Sequence, residues 1–386
     1  MSSFSPHALV NLAEDYSAEV LRPAAAQFDQ DGGVSKSVIA EMAKIGLLGA
    51  ALPVEFGGSG VDPLSYGLIT EAVGVGCSNT RALLTVHTSL VGETVAKLAS
   101  SEIKNHYLPL ITGGDKIAAF ALSESKAGSD AASIQTSFEE TATGYRINGH
   151  KKWITYGAVA DLFLVFASNN GVVNAFIVDR DFAGVKTTPM QGLMASRGAH
   201  LAHIEFSNVE VPKANLIGRP GMGFAFVANT ALFYGRFSIA WAGVAIARAA
   251  VEEMVTYARS REQFSTKLSK HQLVQALIAD SVSGLYSAKA MCERISRLRQ
   301  ENDEQAIMET NIAKLHTSRI AKAAADNAVQ VLGGNGLWNE YAVERLYREA
   351  RVLEIIEGST QIQQMMIANY GLRKYFKPDL KKNYPA

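Results

Sequence analysis

The chain has 386 residues, 48% of them apolar and 19% charged, and its 37 Lys plus Arg balance 37 Asp plus Glu. That length allows two or three compact layers around a buried core. Zero formal charge excludes a broad electrostatic footprint for nucleic acid or an anionic membrane. Two distant cysteines, Cys77 and Cys292, make no disulfide framework and read as buried apolar thiols. Met1-Ser2-Ser3-Phe4 lacks the basic start and apolar core of a signal peptide. No apolar run approaches the ~20 residues of a membrane helix, so a soluble cytoplasmic protein is expected.

The first part, residues 1–118, reads as helices. Leu9, Leu12, Ala13, Tyr16 and Val20 recur at helical spacing. Glu41 to Leu52 reads as a second helix, broken by the glycine cluster Glu55-Phe56-Gly57-Gly58-Ser59-Gly60. Helical patterns resume from Leu64 to Leu98. The middle part, 119–218, changes to short strands. Tyr145 to His150 reads as a strand meeting an Asn-Gly turn. Leu162 to Phe166 and Ala175 to Val178 are runs of buried-strand type. Ile204, Phe206, Val209 and Val211 suggest another strand, with a turn at Ser207-Asn208. A small β-barrel or sandwich is expected.

The last part, 219–386, returns to helices. Ile239, Ala242, Ile246, Ala250 and Met254 form one stripe, and Ile312, Leu315, Ile320 and Ala324 another. Gly333-Gly334-Asn335-Gly336 stops the second helix. The fold class is therefore α+β, with a helical domain, a β domain and a C-terminal helical bundle.

Common site patterns are missing. There is no P-loop, no G-x-G-x-x-G after a strand and no G-x-S-x-G elbow. His200 and His203 would point to opposite faces of a strand, so no metal site is expected. Composition and spacing alone stop at a helix–strand–helix protein of unassigned activity.

Five stretches, in order, carry more. They are Phe120-Ala121-Leu122-Ser123-Glu124-Ser125-Lys126-Ala127-Gly128-Ser129-Asp130; Lys152-Trp153-Ile154-Thr155; Arg261-Glu262-Gln263-Phe264 with His271-Gln272; Gln330-Val331-Leu332-Gly333-Gly334-Asn335-Gly336; and Ile356-Glu357-Gly358-Ser359-Thr360-Gln361-Ile362-Gln363. Together they resemble the acyl-CoA dehydrogenase family over nearly the whole chain. The resemblance implies bound FAD. Phe120, Leu122 and Ser123 match positions at the flavin ring, Trp153 would pack on it, and Thr155 would bond near N5. Gly128 and Ser129 match positions where small residues admit the pyrophosphate. Arg261, Phe264, Gln272, Gln330, Gly333 and Gly334 match residues that reach the FAD of a neighbouring subunit. The resemblance therefore implies an obligate homo-oligomer, usually a tetramer made of two dimers. Taken alone, Trp153 reads as a core residue; within the ordered set the flavin reading prevails.

By the same resemblance Glu357 is the base. It takes the pro-R α-proton of an acyl thioester while a β-hydride passes to the flavin. The thioester carbonyl would be held by the Glu357 backbone N–H and a ribityl hydroxyl, and burial would raise the carboxyl pKa. Taken alone, Glu357 is an acid near a helix N-terminus. The rival base position of some relatives falls on Gly235, in Phe233-Tyr234-Gly235-Arg236, which closes that alternative. Ser359 and Gln361 match residues that touch FAD, and Arg236, Tyr234 and Gly358 match substrate-binding positions.

Phe233 and the strand-like segment Ser196-Arg197-Gly198-Ala199-His200-Leu201-Ala202 resemble members acting on carrier-tethered groups. The partner is therefore acyl-CoA or an acyl or peptidyl carrier protein, and a patch near Arg197 and Arg236 would dock the carrier's arm. Tyr156, Tyr234 and Trp338 hint at a small acyl group. The electron acceptor is an electron-transfer flavoprotein, or O2 in an oxidase reading. A flavin-free helical binding protein that reuses the fold is the alternative from another class.

Overall fold

The computed structural model describes residues 6–379. The expectation placed on Met1–Phe4 lies outside them. Seven helices open the chain: α1 (Pro6–Tyr16), α2 (Arg22–Asp31), α3 (Lys36–Lys44), α4 (Pro63–Gly76), α5 (Ser78–Leu83), α6 (Glu93–Leu98) and α7 (Ser101–Gly113). The helix expected over Glu41 to Leu52 is displaced. Helix α3 begins at Lys36, capped by the Ser35 hydroxyl accepting from Val38 N–H, and ends at Lys44. Beyond it the chain turns, and Gly46 lies at φ 85°, where glycine alone is unstrained.

Between α5 and α6 the chain winds into a wide π-type helix, Leu84–Gly92, buried throughout. Such segments usually mark functional sites. His87 ties this one to the sheet. Its Nδ1 accepts from Ala118 N–H at 3.0 Å, so Nε2 carries the proton and donates to Ile111 O at 2.9 Å. Burial lowers the His87 pKa to about 4, which keeps the ring neutral.

The middle layer holds β1 (Ala118–Ala121), β2 (Ser137–Glu140), β3 (Gly144–Ile154), β4 (Leu162–Asn169), β5 (Val172–Asp179), β6 (Val185–Pro189), β7 (Ala202–Pro212) and β8 (Leu216–Ile217). They form one sheet in the order β6-β7-β3-β2-β4-β5-β8, with β1 parallel to β4. The unbroken apolar run in β4 has a simple cause: both faces are covered. Leu162, Leu164 and Phe166 join a core with the N-terminal helices, while Phe163, Val165 and Ala167 join a second core on the opposite face.

Two expected turns are not turns. Asn148-Gly149 lies inside β3 and Ser207-Asn208 inside β7, facing each other where the pairing shifts between Ile147↔Val209 and Gly149↔Phe206. One extra β7 residue is absorbed there as a β-bulge, with Asn208 at φ 52° and its N–H donating to Asn148 Oδ1 at 2.7 Å. Turn-forming residues tolerate positive φ in bulges as well as in hairpins, hence the misreading. His200 is not on a strand either. It comes after the short 3₁₀ turn Arg197–Ala199 and bonds Val34 O, whereas His203 lies exposed on β7. Among the described residues no three ligand-type side chains group to hold a metal.

The last layer holds α8 (Asn229–Ser260), α9 (Gln272–Gln300), α10 (Ala306–Leu332), α11 (Ala342–Leu353) and α12 (Thr360–Lys374), with the short hairpin β9 (Glu262–Gln263) and β10 (Thr266–Lys267) after α8. The predicted α8 stripe is buried in full. With the turn before it, α8 is long and apolar enough to cross a membrane, but 78% of its apolar window lies inside the protein. The α10 stripe is a correction. Ile312, Leu315 and Ile320 are only half-buried, while Thr310, Asn311, Ala313, Lys314, Thr317 and Ser318 face inward. Helices α8 and α10 pack too closely for large side chains: a Cβ on Gly243 would lie 2.7 Å from the Thr317 backbone. Cys77 and Cys292 are free and buried.

Candidate active site

Glu357 lies in the loop between α11 and α12. It adopts φ 55°, a conformation rare outside glycine, and Gly358 next to it has φ 88°. Three side chains hold this loop by its main chain. Arg236 Nε donates to Glu357 O at 3.0 Å, Gln363 Nε2 donates to the same oxygen at 3.1 Å, and Lys314 Nζ donates to Gly358 O at 2.7 Å. All three donors are buried. Arg236 is itself positioned by Asn311 Oδ1 at 3.1 Å. Ser359 caps α12, its hydroxyl accepting from Ile362 N–H.

The Glu357 side chain is left free by this arrangement. Its Oε2 is sealed from solvent and has no hydrogen-bond partner, although the residue keeps part of its surface open. Burial lifts the carboxyl pKa to about 7, and the charges of Arg236, Lys314 and Arg81 offset only part of that rise. Its backbone N–H has no acceptor among the described residues. The carboxylate rests on α8: a Cβ on Gly235 would lie 2.6 Å from Oε2. Gly235 is therefore the floor on which the carboxylate lies.

A second cluster forms where β3 meets the loop after β1. The β3–β7 pairing shifts again between Lys151↔Ile204 and Ile154↔Ala202, with the extra residue now on β3. The bulge puts Trp153 at φ 65° and leaves its indole 50% exposed. Bulges beside active sites re-aim side chains in this way. Lys152 N–H donates to Ser123 O at 2.9 Å, joining the two segments. The buried Lys151 ammonium donates to Leu122 O at 3.1 Å and to Glu124 Oε1 at 2.7 Å. Glu124 also accepts from the N–H groups of Gln135 and Thr136, and this network holds its pKa below the usual value despite burial. Leu122, Ser123, Trp153 and Thr155 thus share one neighbourhood, and among the described residues no group bonds the Ser123 or the Thr155 hydroxyl. Gly128 and Ser129 lie on the exposed part of the same loop, and a Cβ on Gly128 would meet nothing within 4 Å. Phe120 is half-buried, its ring edge-on to Phe166 at 5.2 Å.

The remaining predicted residues form two exposed groups. Arg261, Phe264 and Gln272 surround the β9–β10 hairpin, with Phe264 92% exposed. Gln330, Gly333 and Gly334 sit at the end of α10, and a Cβ on either glycine would meet open space. Gln361 is exposed on the first turn of α12. Tyr234 is half-buried, its ring under the Arg299 guanidinium at 4.7 Å.

Three expectations need correction. Tyr156 is fully buried with its hydroxyl donating to Asn79 O, so it packs the core and does not line an open pocket. Arg236 is buried and turned toward the Glu357 loop, while Arg197 lies at the surface bonded to Leu193 O, so the two make no shared docking patch. Ser196 to Leu201 is a turn with two residues at positive φ, not a strand. Sequence reasoning missed Lys151, Glu124, Lys314, Asn311 and Gln363. Lys151 and Lys314 lie in polar or small-residue surroundings, where nothing in the pattern signals burial.

An unengaged carboxylate beside the helical bundle, and an exposed indole with free hydroxyls and open glycines beside the sheet, suit a flat redox cofactor and a C–H substrate. The class so defined is a flavin-dependent dehydrogenase. Models of the acyl-CoA dehydrogenase N-terminal, middle and C-terminal domains match residues 6–115, 119–209 and 221–372. The chain belongs to the acyl-CoA dehydrogenase family, FAD-dependent oxidoreductases acting on CH–CH groups. It is 36% identical over 366 residues to the mitochondrial short-chain specific acyl-CoA dehydrogenase of Rattus norvegicus, covering 94% of this chain and 88% of that one. It is similar to the structure of butyryl-CoA dehydrogenase from Megasphaera elsdenii, with TM-score 0.92, 30% identity, and 96% and 100% of the two chains covered. It is also similar to a prolyl acyl carrier protein oxidase, with TM-score 0.89, 26% identity, and 95% and 98% covered. The flavin-free reading is left without support.

Proposed function

We propose that this enzyme oxidises an acyl thioester across its α and β carbons, with Glu357 removing the α-proton. One observation carries the assignment: a sealed, unpartnered carboxylate with its pKa lifted to about 7, on a loop fixed by its own backbone. Poor solvation makes the carboxylate a stronger base than a surface one. The unpaired Glu357 N–H is free to donate to the thioester carbonyl, which makes the α-proton more acidic. Gly235 leaves room for the carboxylate, and Arg236, Gln363 and Lys314 keep it from drifting. Bound FAD supplies the acceptor for the β-hydride. Leu122, Ser123, Trp153 and Thr155 would hold its ring, Gly128 and Ser129 its pyrophosphate, and Ser359 and Gln361 the edge nearest the base. Arg261, Phe264, Gln272, Gln330, Gly333 and Gly334 would reach the FAD of a second copy. On that reading the enzyme is a homo-oligomer, with Phe264, 92% exposed, open to the second copy.

Glu357→Gln should retain FAD and lose flavin reduction by a factor on the order of 10²–10⁴. Flavin bleaching under anaerobic stopped flow is the measurement, and near-normal reduction in that variant would sink the assignment. A carrier-tethered substrate is the second reading, supported by the likeness to a prolyl acyl carrier protein oxidase. Comparing bleaching by the same acyl group on CoA and on a carrier protein separates the two.

A further inference from the structure

Lys314, on α10, is buried. Its ammonium donates to Gly358 O at 2.7 Å and to no other protein group among the described residues. An ammonium carries three donors, so two of them find no protein acceptor there. A neutral amide would hold the same carbonyl with less desolvation, as Gln363 holds Glu357 O. A buried ammonium in this place calls for an anion that uses its charge.

Two anions act on Lys314, Glu357 first and Glu354 more weakly. Glu354 is already matched, with Arg351 at 2.9 Å and Lys322 at 3.9 Å from its Oε2. Glu357 is not. Neither Lys314 nor Arg236 brings a nitrogen within 4.0 Å of its carboxylate oxygens, and Oε2 has no hydrogen-bond partner. Yet these two cations act on the carboxylate more strongly than the third, the buried Arg81 on α5. Both bond main-chain oxygens of the loop instead, Arg236 that of Glu357 and Lys314 that of Gly358. They face the carboxylate as charges held at a distance.

The seam between α8 and α10 fixes that distance. Arg236 Nη1 meets Asn311 Oδ1 at 3.1 Å, and seven residues further along α8 a Cβ on Gly243 would lie 2.7 Å from the Thr317 backbone. Lys314 stands between Asn311 and Thr317, so contacts on both sides stop α10 from sliding along α8. A direct ion pair would lower the basicity of Glu357 and occupy the oxygens that must receive a proton. A cation tied to a carbonyl favours the ionised carboxylate and leaves its lone pairs open. Burial draws the Lys314 pKa down to about 8, still above the value of about 7 for Glu357, so the ammonium is charged where the base titrates.

We infer that Lys314 is a positioning residue for the base: it grips Gly358 by the carbonyl and lends its charge to the Glu357 carboxylate without touching it, so that the base rests ionised and unengaged. This rests on the Glu357 chemistry proposed above.

The test compares Lys314→Met, which removes bond and charge, with Lys314→Gln, which keeps a donor and removes only the charge. Both are loaded with FAD, and single-turnover bleaching by an acyl thioester is followed against pH. Loss of a neighbouring cation raises a carboxyl pKa, so the rising limb near pH 7 should move about one pH unit higher in both variants. At high pH, where the base is ionised in every form, Lys314→Met should be slower than wild type on the order of 10²-fold, and Lys314→Gln should recover part of that loss. The KM should change little. A merely structural lysine would lower Tm and leave the limb at its wild-type pH, which overturns the proposal; so does a wild-type rate at high pH in Lys314→Met. Should neither variant fold, Glu357→Gln decides, because it leaves all three carbonyl bonds in place. In that variant Lys314 should titrate at lower pH than in wild type by nitrogen NMR of labelled lysines, and an unchanged titration overturns the proposal. A limb missing from the wild-type enzyme is instead a failure of Glu357 as base.

Discussion

Gly235→Ala tests the active-site geometry at its tightest point. The added methyl would sit 2.6 Å from Glu357 Oε2 and 2.6 Å from Leu90 Cδ2, against about 3.4 Å for an ordinary contact. Something must move by about 0.8 Å. The loop main chain cannot follow, because Arg236 and Gln363 hold the Glu357 carbonyl and Lys314 holds that of Gly358. The carboxylate is the part that gives way, since Oε2 has no bond to lose. Misplacing a reacting group by about 1 Å costs on the order of 10²-fold in rate, and overpacking a tight site costs about 1–3 kcal/mol of stability. Gly235→Ala should therefore keep FAD, lose a few degrees in Tm, and reduce its flavin roughly a hundredfold more slowly. The assay pairs a thermal melt with single-turnover bleaching. Wild-type rate in a folded, FAD-loaded Gly235→Ala would refute the placement of the carboxylate on α8.

Charge sets two further outcomes. The Glu357 pKa of about 7 means that flavin reduction by limiting substrate should rise as pH passes through about 7, and a flat profile there would contradict a basic role. Because the folded value is raised above 4.5, the same group favours folding below pH 4.5, and that contribution is lost as pH rises through about 7; Glu357→Gln should lack this pH dependence in urea unfolding. Lys151→Met strands the buried Glu124 carboxylate, so it should cost about 3–5 kcal/mol and weaken FAD retention by loosening Leu122 and Ser123. Equilibrium unfolding and FAD dissociation measure the two effects, and an unchanged FAD off-rate would remove Lys151 from the cofactor platform.

The layers were legible because they are written in periodicity. The α8 stripe and the β4 run announce their burial directly. The α10 face was misread because close helix packing selects Ala, Thr and Ser over the larger Ile and Leu. Asn148-Gly149 and Ser207-Asn208 carry turn chemistry, and only the register shows that it serves a bulge. At the site, Glu357 and Trp153 were singled out by resemblance alone. Nothing local foretells that both take positive φ, because non-glycine residues are held there by distant partners. Lys151, Lys314 and Arg81 were illegible for a related reason: a buried charge is defined by what surrounds it in space.

The three donors around Glu357 grip carbonyl oxygens, which every amino acid possesses. The socket therefore grips no carboxylate, and any residue that tolerates positive φ and fits above Gly235 can stand at position 357 without loss of these three bonds. Reactivity and architecture are mutable separately at this position. A lineage built on this framework is able to lose the Glu357 carboxylate or replace it with a binding group while the helices around it stay as they are.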